Sequence, residues 1–364
     1  MNIGIPKERL PGEERVGLTP ALVGLLVKDG HKCFVETGAG TGAGFDDYDY
    51  ERMGATLVGE GEALYAQVSL ILKALRPTLE EIRWMTSGQT LMCFLGLPQI
   101  PAEEVKAMQE RRITAFAYEM IRKERYDFPI LKTVSEVAGR MAPYIAGNLL
   151  MRQHGGRGVL LNGVPGVSAS EVVILGSGTV GQNAARAFLG LGAKVFILSR
   201  SLDRLRDLDN QFQGRVNTMI DHDFNVAYVT RFADVVVGAV RNPGKRAPVV
   251  ITREMLRTMR KGAVIIDFAI DHGGCAETSR PTTFDCPTFI EEDVVHYCVT
   301  NVPGAVPRTS THAFNNAAWS YIRHVAAMGP ASALAQNEAL RRGLAIRSGE
   351  IIEEPFTPTS YGTR

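Results

Sequence analysis

The fold of this chain is decided by residues 171–198, EVVILGSGTVGQNAARAFLGLGAKVFIL. An apolar run leads into three glycines spaced G-x-G-x-x-G, an alanine-rich helical segment follows, and a second apolar run closes the unit. A strand, a glycine-rich turn, a helix and a second strand within about 30 residues form the context in which this motif binds a dinucleotide. The sequence therefore predicts a dinucleotide-binding unit.

The three glycines have separate predicted tasks. Gly176 permits the tight turn, Gly178 lets the backbone approach the pyrophosphate, and Gly181 allows close helix packing. The free N–H groups and the positive dipole end of the helix attract the phosphates. The pyrophosphate is expected on the backbone of Ser177, Gly178, Thr179, Val180 and Gly181.

The end of the second strand, in KVFILSRSLDRL at residues 194–205, bears on which coenzyme binds. An NAD site usually carries an acid there for the ribose hydroxyls, whereas this chain has Ser199. Ser199 can donate to a phosphate, and Arg200 and Arg204 lie about one helical turn apart. The pattern favours NADP(H) over NAD(H). The alternative is that both arginines solvate the helix start, or stack on adenine while NAD binds.

Alternating apolar runs and helical patterns predict two α/β units with parallel sheets. Strands are expected at 2–6, 33–37, 69–75, 90–96 and 113–119, and then at 172–175, 194–198, 215–220, 234–238, 263–269 and 296–300. Long helices are predicted at 133–156, kinked or broken at Pro143, and at 310–328. Thr133 and Glu136 have the spacing of a capping box at the first helix start.

The composition and net charge of the chain limit the classes of molecule that it is expected to bind. Forty basic and thirty-nine acidic residues leave a net charge of +1, so no global field recruits nucleic acid or an anionic membrane. The chain of 364 residues has no apolar run near the ~20 residues of a membrane span. Five dispersed cysteines without a CxxC pair argue against a disulfide framework or a zinc site. We expect a cytoplasmic protein with a small-molecule partner and no metal.

Five segments together resemble alanine dehydrogenase and the transhydrogenase α-subunit family. They are IGIPKERLPGEERVGLTP (3–20), SEVAGR (135–140), GGRGVLLNGVPGV (155–167), DFAIDHGGCAETSRPTTFD (267–285) and NVPGAVPRTSTHAF (301–314). The resemblance implies two doubly wound Rossmann-like domains joined by long helices, with a substrate domain (1–130 and 308–364) interrupted by a dinucleotide-binding domain (131–307). It also implies a homo-oligomer, a hexamer or a dimer, and hydride transfer between nicotinamide C4 and the α-carbon of an amino acid or imine.

The resemblance assigns roles to individual residues. Arg15 matches the arginine that binds the substrate carboxylate, with a surface ion pair as the alternative. Asp271 matches the catalytic aspartate that exchanges protons during carbinolamine and imine formation, with capping of the next turn as the alternative. The coenzyme contacts implied are Ser135, Ala239, Val240 and Asn301, and the substrate side includes Val134 and Asn301.

Two positions depart from the family pattern. Leu75 stands where the family has a substrate-binding lysine, and Gly96 stands where it has a catalytic histidine. The vacated space is expected to be larger and more apolar. His272 is a candidate for the missing proton-transfer group, unless it is an exposed and inert loop residue. Lys73, or else Arg76, could also reach into the site.

These residues lead to a hypothesis of NADPH-dependent reduction of an imine or 2-oxo acid to an amino acid or amine, with an atypical substrate pocket. The atypical pocket would suit an imine that is already formed before reduction. The resemblance extends to such an enzyme, carboxyethylornithine synthase, in which the side-chain amine of an amino acid condenses with pyruvate before the imine is reduced. One alternative is an ordinary NAD-dependent alanine dehydrogenase, which converts alanine to pyruvate and ammonia. Another is a non-catalytic NADP-binding protein, although retention of Arg15 and Asp271 speaks against it.

Overall fold

The computed structural model of the chain describes residues 1–97, 99–124, 127–242 and 246–352. They form two compact units. The first unit consists of Met1–Val134 and the segment that begins at Pro303, and the second consists of Ser135–Val302. The end of the predicted substrate domain, 353–364, lies outside the described residues.

The first unit is built on an eight-stranded sheet in the order β15-β14-β6-β5-β4-β1-β2-β3. The strands are β1 Asn2–Ile5, β2 Lys32–Glu36, β3 Thr56–Val58, β4 Leu70–Leu75, β5 Thr90–Phe94, β6 Thr114–Ala117, β14 Leu344–Arg347 and β15 Glu350–Ile351. The six strands β1 to β6 pair in parallel, and β14 and β15 add an antiparallel edge next to β6.

Helices cover both faces of this sheet, as parallel strands require. They are α1 Pro20–Lys28, α2 Asp47–Arg52, α3 Gly61–Tyr65, α4 Leu79–Trp84, α5 Ala102–Glu110, α11 Pro307–Gln336 and α12 Glu338–Gly343. Successive residues of β4 belong to two hydrophobic cores, one on each face of the sheet. Leu70 and Leu72 share a core with Phe314 of α11, whereas Ile71 shares the other core with Met108 of α5.

The second unit has a seven-stranded sheet in the order β12-β13-β11-β10-β7-β8-β9. The strands are β7 Glu171–Leu175, β8 Lys194–Ser199, β9 Asn217–Ile220, β10 Val235–Gly238, β11 Val264–Asp267, β12 Thr288–Glu291 and β13 Val294–Tyr297. All pairings are parallel except that of β12 with β13. Counted without β12, the strands follow the order 3-2-1-4-5-6 of a dinucleotide-binding sheet.

The helices of the second unit are α7 Thr179–Gly190, α8 Leu202–Phe212, α9 Asp223–Thr230 and α10 Arg253–Arg257. Helix α6, Pro129–Leu149, begins before the division between the two units. Its predicted start was wrong: the Thr133 hydroxyl donates to Ile130 O at 2.8 Å from inside the helix. The helix also continues through Pro143 and ends before Gly155 and Gly156.

The remaining differences from the sequence predictions concern short or interrupted elements. The strands at 56–58, 288–291, 344–347 and 350–351 were not predicted; each has only two to four residues, too few for a clear apolar pattern. Helix α11 is longer than expected and consists of two helical segments that meet at Gly329, whose φ is 76°. Among the described residues, no helix combines the length and the apolarity needed to span a bilayer.

Candidate functional site

The glycine-rich turn follows β7 and opens helix α7. Gly176 has φ 111°, and a β-carbon there would lie 2.4 Å from Ala239 O. A β-carbon on Gly181 would lie 2.0 Å from Gly176 O. Around Gly178, by contrast, a β-carbon would meet no described atom within 4 Å. Two glycines therefore shape the protein itself, and Gly178, the N-cap of α7, leaves open space at the helix N-terminus.

Helix α6 packs beside this turn within the second unit. A β-carbon on Gly139 would lie 2.4 Å from Val180 O, so the two helices approach at backbone distance. Ser135 lies one turn before Gly139 on the same helix face and is half-buried. Ala239 and Val240 directly follow β10 and are half-buried. These predicted coenzyme contacts thus come from segments that border the glycine-rich turn.

The end of β8 is joined to the turn by two hydroxyls. Ser199 Oγ and Ser177 Oγ share a hydrogen bond of 2.7 Å, and Ser199 is only 5% exposed. Ser199 Oγ also accepts from Ser201 N at 3.3 Å. The side chains of Arg200 and Arg204 are exposed at the start of helix α8.

An acid that sequence analysis did not single out stands next to this position. Asp221 follows β9, and its N–H donates to Ser199 O at 3.0 Å. Burial raises the pKa of the Asp221 carboxyl, and Arg200 opposes that shift. The signal in the sequence that could have pointed to Asp221 is its place directly after the strand β9. The positive charge of Arg200 therefore acts on a nearby carboxyl, which is itself of the wrong sign to favour a coenzyme phosphate.

The loop after β11 is held by a buried carboxylate that the sequence analysis also missed. Asp267 is 1% exposed and accepts from Ala269 N at 2.9 Å, Cys275 N at 2.8 Å and Ser279 Oγ at 2.6 Å. Gly273 and Gly274 have φ 98° and 80°, so both lie in the left-handed region. This loop carries the short turn Ile270–His272.

Asp271 and His272 are presented by that turn. Asp271 Oδ1 accepts from Asn301 N at 3.4 Å, and Asn301 has the uncommon φ of 53°. The structure therefore brings two predicted site residues together. Burial, and then Arg241, lower the pKa of His272 to about 4. Its imidazole is neutral at pH 7, able to accept a hydrogen bond but rarely protonated.

Arg15 lies in a segment packed against β4 of the first unit. A β-carbon on Gly17 would lie 2.0 Å from Leu72 O. The Arg15 Nε and Nη2 donate to the two carboxylate oxygens of Glu13 at 2.7 and 2.5 Å, and Arg15 is 2% exposed. The alternative of a surface ion pair is therefore wrong in one respect, because this pair is buried. Glu13 fixes the guanidinium in the bidentate geometry expected of such pairs.

Lys73 lies in a buried ionic cluster. Its Nζ is 2.8 Å from Glu81 Oε1 and 3.1 Å from Glu8 Oε2. Burial opposes the charge of Lys73, but the two carboxylates outweigh it and raise its pKa. For Glu8, burial outweighs the attraction of Lys73 and raises the pKa to about 7. Lys73 is thus engaged structurally, and its predicted catalytic role stays a prediction.

The two departures from the family pattern lie at the ends of adjacent strands. Leu75 pairs in register with Phe94, and Leu75 and Val134 are half-buried against the same apolar core. Glu119 accepts from the N–H groups of Leu95, Gly96 and Leu97 at 3.1, 2.7 and 3.3 Å. This half-buried carboxylate fixes the loop in which Gly96 has φ 65°.

Comparisons with known proteins agree with this architecture. The family description "Alanine dehydrogenase/PNT, N-terminal domain" matches residues 4–138, and "Alanine dehydrogenase/PNT, C-terminal domain" matches residues 142–354. The chain is 44% identical over 353 residues to an alanine dehydrogenase of Halomonas elongata, covering 96% of this chain and 94% of that protein. It is 42% identical over 354 residues to an alanine dehydrogenase of Mycobacterium tuberculosis, covering 97% and 95%.

Solved structures give the same result. An L-alanine dehydrogenase superposes with a TM-score of 0.94 at 40% identity, covering 98% of both chains. A transhydrogenase from Sinorhizobium meliloti shares the fold, with a TM-score of 0.82 at 22% identity, covering 98% of this chain and 100% of that chain. The predicted family, the predicted α/β fold and the predicted enzyme class, a dehydrogenase with a nicotinamide coenzyme, are confirmed. The chain belongs to the alanine dehydrogenase/PNT family.

Proposed function

We propose that the chain interconverts a 2-amino acid and its 2-oxo acid with a nicotinamide dinucleotide. The observation that carries this proposal is the identity of 42–44%, over nearly the whole chain, with proteins named alanine dehydrogenase. In the oxidative direction the amino acid, water and oxidised coenzyme give the 2-oxo acid, ammonium, reduced coenzyme and one proton. Alanine is the first substrate to test.

The second unit supplies the coenzyme contacts in this proposal. The pyrophosphate lies over Gly178 and the first N–H groups of α7, where the structure leaves space for it. Ala239, Val240 and Ser135 contact the nicotinamide and ribose side. Asp271, held by the Asn301 N–H, exchanges protons with water or ammonia as carbinolamine and imine interconvert.

The first unit supplies the substrate contacts. Arg15 binds the substrate carboxylate, and the bidentate Glu13 pair keeps its guanidinium in one orientation. The predicted roles of Lys73 and His272 in proton transfer are secondary proposals. At pH 7 the neutral imidazole of His272, whose pKa is about 4, could act only as a proton acceptor. Lys73, paired with two carboxylates that raise its pKa, holds its proton and would act through its charge.

A second candidate function is the NADPH-dependent reduction of an imine or 2-oxo acid other than that of alanine. Two observations favour it. Ser199 presents a hydroxyl instead of a carboxylate at the end of β8, and Leu75 and Gly96 replace polar groups implied by the family pattern. A carboxylate at position 199 would repel a 2′-phosphate, and none is present there.

Coenzyme absorbance at 340 nm tests both candidates. Purified protein is assayed with L-alanine plus NAD or NADP, and with pyruvate, ammonium and NADH or NADPH. Brisk alanine oxidation with NAD supports the ordinary alanine dehydrogenase and overturns the second candidate. Slow alanine turnover together with tighter binding of NADPH supports the second. Tight NADPH binding without turnover of any 2-oxo acid or imine overturns both and indicates a non-catalytic nucleotide-binding protein.

We also propose that the protein acts in the cytoplasm as a homo-oligomer, a hexamer or a dimer. The five cysteines are unpaired, and four of them are buried, which suits a reducing compartment. Light scattering coupled to size-exclusion chromatography measures the oligomer directly. A single peak at the mass of the 39.7 kDa monomer would rule out the homo-oligomer.

A further inference from the structure

We propose that Arg76 forms a second anion-binding position in the first unit, one that selects 2-oxo and 2-amino acids carrying a second carboxylate. The inference deepens the proposed function and rests on it for substrate turnover. The position is assembled from Arg76, Glu104 and the glycine at 96. It differs from the larger, more apolar pocket that the sequence suggests.

The geometry brings a charged group to the place where position 96 has lost its side chain. A β-carbon on Gly96 would lie 3.5 Å from Arg76 Nη1, and it would meet no other described atom within 4 Å outside its chain neighbours. Gly96 follows β5 and Arg76 follows β4, and these strands are paired in parallel. The guanidinium therefore borders the space at the carboxyl ends of the sheet, where α/β proteins place their ligands.

One hydrogen bond to Glu104 orients the Arg76 guanidinium and leaves further N–H donors of this group available. Its Nε donates to Glu104 Oε2 at 2.9 Å, and the two side chains are 21% and 10% exposed. Within the described parts of the chain, neither terminal nitrogen of Arg76 has a hydrogen-bond partner. One edge of the guanidinium is thus fixed by Glu104, and the Nη1 and Nη2 groups keep donors that can bind a carboxylate.

The rigidity of the surrounding loop supports a specific site. Glu119 holds three successive N–H groups at Leu95, Gly96 and Leu97. Gly96 therefore cannot collapse into the space without breaking these bonds. Because the substrate's own α-carboxylate is assigned to Arg15, the additional anion belongs to the far end of the substrate. Four- and five-carbon dicarboxylic 2-oxo acids carry such a group.

Kinetics provide the first test. The ratio of kcat/KM for oxaloacetate and 2-oxoglutarate to that for pyruvate is measured with ammonium and reduced coenzyme. We expect the wild type to favour a dicarboxylic acid over pyruvate by about 10-fold or more. Arg76→Met should reduce that ratio at least about 10-fold, and Arg76→Lys should restore part of it. Arg83→Met, an exposed arginine of α4, is the matched control and should keep the wild-type ratio.

Arg76→Met leaves Glu104 without its partner and could impair folding, so the double variant Arg76→Met/Glu104→Gln is compared with Glu104→Gln alone. We expect the ratio to fall only when Arg76 is absent. A wild type that prefers pyruvate, or equal losses for pyruvate and dicarboxylic acids in the Arg76 variants, would overturn the inference.

A binding measurement separates failure of this inference from failure of the proposed function. Calorimetric titration with glutarate, in the presence of saturating NADPH or NADH, needs no turnover. Binding that weakens at least about 10-fold in both Arg76→Met and the double variant supports the anion position even if no 2-oxo acid is reduced. Absent glutarate binding, or binding equal in wild type and variants, overturns it even if alanine is oxidised rapidly.

Discussion

Ser177 Oγ and Ser199 Oγ are hydrogen-bonded at 2.7 Å and join the glycine-rich turn to the end of strand β8. The position that would carry a ribose-binding acid in an NAD site is thereby occupied by a hydroxyl that also orders the turn. Asp221 donates its N–H to Ser199 O, and its carboxyl interacts with Arg200, so we expect the coenzyme preference to depend on how these charges balance.

Ser199→Asp is predicted to shift the coenzyme preference towards NAD(H). The new carboxylate would repel a 2′-phosphate and accept hydrogen bonds from ribose hydroxyls. We expect the ratio of the Kd for NADPH to that for NADH to rise about 10- to 100-fold, measured by coenzyme fluorescence titration. Ser168→Asp, in an exposed loop of the same unit, is the control. An unchanged ratio in Ser199→Asp would show that this position does not select the coenzyme.

Gly178→Ala and Gly181→Ala should separate coenzyme binding from folding. The β-carbon at position 178 meets no described atom, so thermal denaturation should match the wild type while coenzyme affinity falls at least about 10-fold. At position 181 the β-carbon would clash with Gly176 O at 2.0 Å and should reduce the free energy of unfolding by about 2–3 kcal/mol. Equal effects of both variants on stability would contradict this division.

Asp267→Asn should destabilise the second unit because the carboxylate accepts two backbone N–H groups and the Ser279 hydroxyl. An amide cannot accept all three bonds, so we expect a loss of about 2–3 kcal/mol in denaturant unfolding. Asp271→Asn is the comparison: it should impair turnover with little change in unfolding. If Asp267→Asn were as stable as Asp271→Asn, Asp267 would not be the support of the loop.

Glu8→Gln should change the pH dependence of stability. The pKa of Glu8 is about 7 in the folded chain against 4.5 for an ordinary glutamate, because burial disfavours its charge. The folded state therefore retains a proton that the unfolded state releases, and the wild type loses stability as pH rises from about 4.5 to 7. Over this pH range, the free energy of unfolding of Glu8→Gln should therefore fall less than that of the wild type, by up to about 3 kcal/mol. Urea denaturation at several pH values measures it, with the exposed Glu62→Gln as control.

His272→Gln should keep kcat within about threefold of the wild type between pH 7 and 8, since an imidazole with a pKa of about 4 is rarely protonated there. A steady-state pH profile of kcat measures the effect. A loss of about 100-fold, with disappearance of an ionisation from the profile, would instead establish His272 as the proton-transfer residue that the sequence suggested.

Much of the second unit could be predicted because its signals are local. The apolar run before Gly176, the three glycines and the helix after them are contiguous, and backbone sterics fix their conformation. The strands β3, β12, β14 and β15 were missed because each has only two to four residues, too few for a clear apolar pattern. In addition, β14 pairs with β6, which lies far earlier in the chain, so local pattern could not reveal that pairing. The start of α6 was misplaced because Thr133 has the spacing of a cap but sits within the helix.

The sequence by itself identified the family, through the resemblance of five segments, and it predicted the two α/β units and the glycine-rich turn before α7, because periodicity and glycine spacing act over a few neighbouring residues. Only the tertiary structure decided the surroundings of the charged side chains. It placed Lys73 between Glu8 and Glu81, Arg15 against Glu13, and Arg76 beside Gly96. The charge state and available donors of a buried side chain depend on desolvation and on partners brought together by folding, and spacing along the chain does not encode them.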